Sequence, residues 1–342
     1  MRSATRRTVL TGAAAATGMA AALSVPGRLL GGAPMSTGDL RARLAAGGLG
    51  RVADAILRRA RPCIRIDMRR VDDEMRMPVG CSKLGGTPDL PAGGAWPAWR
   101  GSPLAFVGQV SLADIAVHDE EGDLPHSGLL SFFCAVDGTA AGVMAAPDDP
   151  ASWQVRHLGG EPATLVRLPP PPHLPERLRF PACQASFRRE PTLPDVESRA
   201  VLDLGLSEPE RHAYIDQQFR ANGGEPPAMS HHLLGYPFSF GQSPCLPGYL
   251  HAHGLSHPYT MDLSRPPEEL QQRYQRMQQT GPEMLRELQH KAEAEWRLLL
   301  QVYSNEEAEM DWGGGGVLHF CIPNDALSRR DFTRAWAEMQ FV

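Results

Sequence analysis

The chain of 342 residues is 42% hydrophobic and 21% charged, values typical of a globular protein and far from those of disordered or membrane-embedded chains. Lys and Arg number 34 against 39 Asp and Glu, a formal charge of -5 with no long basic run, so the electrostatic footprint of a nucleic-acid binder is missing. Beyond residue 35 no uninterrupted apolar run approaches the roughly 20 residues that span a bilayer, and no membrane insertion of the body is expected.

Thr5-Arg6-Arg7-Thr8-Val9-Leu10-Thr11 opens an Ala/Gly-rich apolar stretch from Gly12 to Leu23, and no acidic residue precedes Asp39. A basic start, a short apolar stretch and small residues at Ala20-Ala21-Ala22 are the parts of an export signal. The paired arginines look like a twin-arginine address for proteins exported already folded, and cleavage after Ala22 fits. Residues 1–34 are therefore expected to be a leader, and the protein periplasmic or extracellular. The alternative is a true start at Met35 and a cytoplasmic protein.

Asp39 to Arg61 has helical apolar spacing, and Cys63 to Met68 alternates as a strand does. Glu74 to Arg100 is rich in turn residues. Apolar runs predict strands over Pro103–Leu112 and Ser127–Val136, with weaker candidates over Gln154–Val166 and Leu178–Phe187. Ser207-Glu208-Pro209 caps a helix to Arg220. Pro266 to Glu295 reads as a charged helix or helix pair broken at Gly281-Pro282. Strands follow over Glu295–Val302 and Gly316–Ile322, then a closing helix over Ser328–Met339.

Two stretches resemble each other. Leu104 to Leu112 lies beside Trp296 to Ser304, each an apolar run followed by Gln and Val, at Gln109-Val110 and Gln301-Val302. Each precedes a loop and a Gly-led strand, Gly128-Leu129-Leu130-Ser131-Phe132-Phe133 and Gly316-Val317-Leu318-His319-Phe320-Cys321. Such a hairpin cannot bury both faces alone, whereas two copies can share a core. The expected fold is α+β: one domain over 35–342, a β-rich mixed sheet built by internal duplication (about 100–140 and 295–325), with flanking and inserted helices. Gln109 and Gln301 hold matching places, as buried amides satisfying backbone groups where the halves meet or as part of a ligand site.

Ser82-Lys83-Leu84-Gly85-Gly86-Thr87-Pro88 with Trp96-Pro97, the blocks Phe106–Leu112 and Gly128–Phe133, His232-Leu233-Leu234-Gly235-Tyr236-Pro237, and the C-terminal part with Ala335-Trp336 resemble, in order, the YwqG-like family, a bacterial domain of unknown function. The resemblance runs from about residue 39 to the end. It implies an internally duplicated α+β fold and no activity. Where that family usually has an acidic residue before the last strand, this chain has Gly313-Gly314-Gly315-Gly316, with Asp311 as a stand-in one turn earlier. An export signal is atypical of it.

Three motifs carry candidate chemistry. Lys83 before a glycine pair could offer an ammonium and backbone N–H groups to an anion; the structural alternative is a turn that lets Trp96 pack close. His251-x-His253 in an extended segment would put both imidazoles on one face, a candidate half-site for a transition metal completed by His257, Asp262 or Cys245. The six cysteines include no C-x-x-C pair; Cys134 and Cys321 read as core residues, and Cys183 and Cys245 could pair if oxidised. No nucleophile elbow or dinucleotide fingerprint is present. A non-enzymatic module binding a protein or small ligand is the first reading, with no cofactor expected. An exported metal-dependent or hydrolytic enzyme using the His-rich loop 231–257 is the alternative.

Overall fold

The computed structural model describes residues 37–136, 142, 144–146, 148–160, 164–219, 230–255 and 267–341. The leader, Met35, His257 and Asp262 lie outside the described residues. The strands are β1 (Arg61–Arg70), β2 (Lys83–Leu84), β3 (Asp89–Pro91), β4 (Ala98–Trp99), β5 (Ser102–Pro103), β6 (Ala105–Ser111), β7 (Leu129–Cys134), β8 (Trp153–Leu158), β9 (Leu165–Arg167), β10 (Cys183–Thr192), β11 (His231–Leu234), β12 (Trp296–Tyr303), β13 (Val317–Pro323) and β14 (Trp336–Gln340). One 10-stranded sheet has the order β14-β13-β12-β11-β1-β10-β2-β6-β7-β8; β3 pairs with β9 and β4 with β5 outside it. Every ladder is antiparallel, so the sheet is not the mixed one expected. Hairpins and returns connect its neighbours, and among the described residues no βαβ crossover imposes parallel pairing.

The sheet reads alike from either edge. Gln109 on β6 faces Lys83 on β2, as Gln301 on β12 faces His232 on β11. The register slips between Phe106 and Gly108 on β6 and at the same place, between Leu298 and Leu300, on β12. At the middle, β1 pairs with β10 and then with β11, while β10 pairs with β1 and then with β2. Lys83 opposes Gln184 as His232 opposes Arg65, which sets an approximate twofold axis between the opposed pair Asp67 and Ser186.

One core follows from that symmetry. Phe132 of β7 and Phe320 of β13, each second from an edge, have ring centroids 5.1 Å apart, so the sheet rolls until its ends meet. Trp153 of β8 donates its indole N–H to the Ala335 carbonyl at 2.9 Å and lies 4.8 Å from Trp336. Val107, Val110 and Phe132 of one half share a single cluster with Leu300, Val302 and Phe320 of the other. Each fully buried side chain of this size contributes about 1.5–3 kcal/mol.

Helices flank the sheet. The first expected helix is two, α1 (Thr37–Leu44) and α2 (Ala53–Leu57), because Gly48 at φ +88° breaks the helical path. After α3 (Leu112–Ile115) come α4 (Arg199–Leu202) and α5 (Glu208–Phe219), where Ser207 and Glu210 form a capping box: the Ser207 N–H donates to the Glu210 carboxylate at 2.9 Å. Leu40, Leu44, Ile56, Val201 and Tyr214 gather these N-terminal and mid-chain helices into a second cluster. Then follow α6 (Leu246–Ala252), α7 (Pro267–Glu295) and α8 (Asn324–Ser328). No break occurs at Pro282: α7 runs through it, with the ring exposed and Gly281 buried. The expected closing helix is instead edge strand β14, since Trp336, Ala337 and Met339 are needed to cover β13 and the core. Among the described residues no helix is long and apolar enough to cross a membrane.

Candidate functional site

Lys83 is the only charge on its short strand, and its side chain is 0% exposed. An ammonium so placed needs anionic partners, because burying a bare charge costs far more than any contact returns. Its Nζ donates to Glu74 Oε1 at 2.8 Å and lies 3.6 Å from Asp89 Oδ2. Arg167, on β9, donates through Nε to Asp89 Oδ1 at 3.0 Å and lies 3.8 Å from Glu74. Its other nitrogens donate to the carbonyls of Glu74, Met77 and Pro78. Two cations and two carboxylates therefore balance. Burial pushes the Asp89 carboxyl up, but Lys83, Arg167, the Gly80 amide and Gln109 together hold it below the ordinary value. Lys83 is thus not an open ammonium awaiting an anion.

Gly85 and Gly86 serve this network rather than Trp96. Both have positive φ, and a Cβ on Gly85 would lie 2.2 Å from the Pro181 carbonyl oxygen. On Gly86 it would lie 2.4 Å from Glu74 Oε1, the oxygen that also accepts the Thr87 N–H at 2.9 Å. The bare backbone lets one carboxylate reach both Lys83 and the turn.

Each glutamine clamps its own half. Gln109 accepts from the Asp89 N–H at 2.9 Å and donates to the Cys81 carbonyl at 2.9 Å. Gln301 accepts from the Phe238 N–H at 2.8 Å and donates to the Ser230 carbonyl at 2.9 Å. Superposing these partners lays Lys83-Leu84-Gly85-Gly86-Thr87-Pro88-Asp89 on His232-Leu233-Leu234-Gly235-Tyr236-Pro237-Phe238. The turn residues agree: φ is +66° and +73° at Gly85 and Gly86, +57° and +70° at Leu234 and Gly235.

In the second half the charges are replaced by neutral imidazoles. Burial lowers His231 to about 3, with Arg65 adding to it, and His232 to about 4. Burial also lowers His319, which faces Gln301, to about 3. Ser230 Oγ lies 3.0 Å from His232 Nδ1, and the Tyr236 carbonyl 3.2 Å from Nε2.

The equivalent turns border two equivalent clefts. The first, about 510 Å³, is lined by Gly86, Thr87, Glu74, Trp96, Phe106 and Phe180, with Arg70, Asp72 and Arg179 also on its wall. The second, about 30 Å³, is lined by Gly235, Tyr236, Leu298 and Arg61, the counterparts of Gly86, Thr87, Phe106 and Phe180, together with Glu293 and Cys245. Tyr236 fills it, with the Arg61 guanidinium 4.5 Å over its ring. In the open cleft Arg179 is spent on the Leu174 carbonyl and Arg70 on Glu309. Glu74 Oε2 keeps acceptor capacity beyond the Thr87 hydroxyl, which donates to it at 3.2 Å.

The remaining candidates lie elsewhere. Asp311 is exposed and accepts the Gly314 and Gly315 N–H groups at 3.0 and 2.9 Å, capping the glycine turn; it lines neither cleft. The expected extended His-rich loop is corrected to strand β11 and helix α6, with His231 and His232 inside the sheet. Residues two apart on a helix diverge: His251 packs on Trp336 at 4.8 Å, while His253 Nδ1 meets the Tyr249 carbonyl at 2.9 Å. Among the described residues no group of three or more His, Cys, Asp or Glu is placed to hold a metal ion. Cys183 is also not beside Cys245: its Sγ lies 3.9 Å from the Pro181 carbonyl, and the neighbour of Cys245 is Cys321. The sequence reading missed Glu74, Asp89 and Arg167, although the shared Leu-x-Gly-x-Pro of the two turns pointed to their surroundings.

No curated protein matches the chain. The model of DUF1963, a domain of unknown function, matches residues 82–340, from the residue before Lys83 to the end of β14, and the chain belongs to that family.

Proposed function

We propose that the protein is a non-enzymatic binding module whose ligand occupies the open cleft beside the Gly85-Gly86 turn. One observation carries the reading: the same frame is built twice, filled by Tyr236 on one side and left open by Thr87 on the other. A volume of about 510 Å³ suits a small organic molecule. Trp96, Phe106 and Phe180 offer an apolar wall, while Glu74 and Asp72 offer acceptors. The fitting ligand has an apolar or aromatic body and a hydrogen-bond-donating, cationic end. The buried ions behind the wall are matched to one another, which supports fixed recognition over proton transfer.

Thr87→Tyr copies the filled half and tests the reading. Thermal-shift screening of aromatic and aliphatic amines should give ligands that stabilise the wild type and leave Thr87→Tyr unmoved. Equal stabilisation of both, or of neither, overturns the reading. The enzymatic alternative, a metal-dependent activity of the His-rich loop 231–257, would need a site that does not pair His251 with His253, whose rings diverge; retention of about one equivalent of transition metal by the purified protein would favour it. Export by the twin-arginine-type leader, and placement in the YwqG-like branch, are further parts of the proposal. Cell fractionation of the wild type against Arg6→Lys/Arg7→Lys checks export.

A further inference from the structure

We propose that Cys245 and Cys321 are a disulfide-forming pair that ties the start of α6 to strand β13. Their Sγ atoms lie 2.7 Å apart, closer than unbonded sulfurs rest in contact. Both are buried, at 2% and 0% exposure, in the core cluster that holds Trp296, Trp336, Leu246 and Tyr249. Cys321 sits in mid-strand, opposite Leu298 on one side and Trp336 on the other, so its position is set by two ladders. Cys245 immediately precedes α6, where the chain turns onto the sheet. Three of the four remaining thiols have other surroundings: Cys134 Sγ faces the Ala135 carbonyl, Cys183 Sγ the Pro181 carbonyl, and Cys63 is buried in β1 opposite Glu190 and Leu234.

Cross-linking forms one Sγ–Sγ bond and breaks two S–H bonds. The two protons and two electrons pass to the disulfide of an external oxidant, glutathione disulfide or a protein disulfide, whose S–S bond breaks to give a pair of thiols. The attacking species is a thiolate. Burial first, and the Cys245 thiol next, push the Cys321 thiol well above its ordinary range. The reaction is accordingly slow in the folded protein and fast during folding. Once formed, the bond closes a 76-residue loop that carries α7 and β12, and it holds α6 over Trp296 and Trp336 beside the filled cleft.

The test refolds the reduced, unfolded full chain in a glutathione redox buffer, traps free thiols with iodoacetamide and maps peptides by mass spectrometry. The expected product is a Cys245–Cys321 cross-linked peptide with Cys63, Cys81, Cys134 and Cys183 alkylated. The oxidised wild type should melt about 5–10 °C above the same protein in dithiothreitol, a difference absent from Cys245→Ala/Cys321→Ala. Full alkylation of all six thiols, a cross-link to a different cysteine, or equal melting of oxidised and reduced wild type overturns the proposal. None of these results depends on a ligand in the open cleft.

Discussion

At Lys83 a single substitution separates structure from recognition. Lys83→Met removes one of two cations facing Glu74 and Asp89 and leaves a buried carboxylate under-compensated; the cost is about 3–5 kcal/mol, read as a lower urea midpoint. Thr87→Tyr, one step from the same network, should shift that midpoint far less. The titrating side chains give the molecule a stability maximum. An unfolded histidine titrates near 6.5, whereas His231, His232 and His319 fold with values of about 3, 4 and 3. Their native state binds fewer protons, so the stability they permit is complete above about 6.5 and is lost as pH falls toward 4. Glu293 runs the other way: burial, then Asp195, raises it from 4.5 to about 7. Burial likewise raises Glu338 to about 8. Their native state holds protons the unfolded chain has released, and stability declines as pH rises from about 5 to 8. Melting temperature against pH should therefore peak in the weakly acidic range. Glu293→Gln/Glu338→Gln should flatten the alkaline side and leave the acid side in place.

At the scale of the element, the two glutamine clips decide whether β2 and β11 join the sheet at all. β2 has two residues and β11 four, too few for ladder bonds alone to fix register. Gln109→Ala strips partners from the Asp89 N–H and the Cys81 carbonyl, and Gln301→Ala from the Phe238 N–H and the Ser230 carbonyl. Each should cost about 2–4 kcal/mol in chemical denaturation, since two buried backbone groups are orphaned at once. An unequal pair of losses would mean that the clips are not equivalent. The long apolar strands β6, β7, β12 and β13 were legible because a strand buried on both faces leaves an unbroken apolar run. Strand β11 was not: His231-His232 looks polar until Arg65, Gln301 and Ser230 surround it. β14 was misread because Phe332, Ala335, Trp336 and Met339 also satisfy a helical spacing, and only the open edge of β13 decides between the two. Of the candidate site, Lys83 and the glutamines could be found as local signals. Their partner Arg167 lies 78 residues beyond Asp89, in a three-residue strand with no periodicity to read.

For the whole molecule the decisive feature is that the two halves exchange their leading strands. In the first half β1 does not touch β2; β10, from the second half, lies between them. In the second half β10 does not touch β11, because β1 stands there instead. The first half alone would retain β2-β6-β7-β8 but leave the ten-residue β1 with neither neighbour, and β2 would become an exposed edge of two residues. The core is divided in the same way, for Phe132 loses Phe320 and Trp153 loses Trp336. Neither fragment should fold alone, whereas the pair should. Cutting the chain in the connection after β8 gives fragments 37–160 and 161–342. Expressed singly, each is expected to be insoluble or to unfold without cooperativity; co-expressed, they should copurify and unfold in one transition. The intact chain should likewise unfold in one step, with near- and far-ultraviolet dichroism coincident. A first fragment that melted cooperatively by itself would show that β1 can find a partner within its own half, and the exchanged-strand sheet would then not be what holds the protein together.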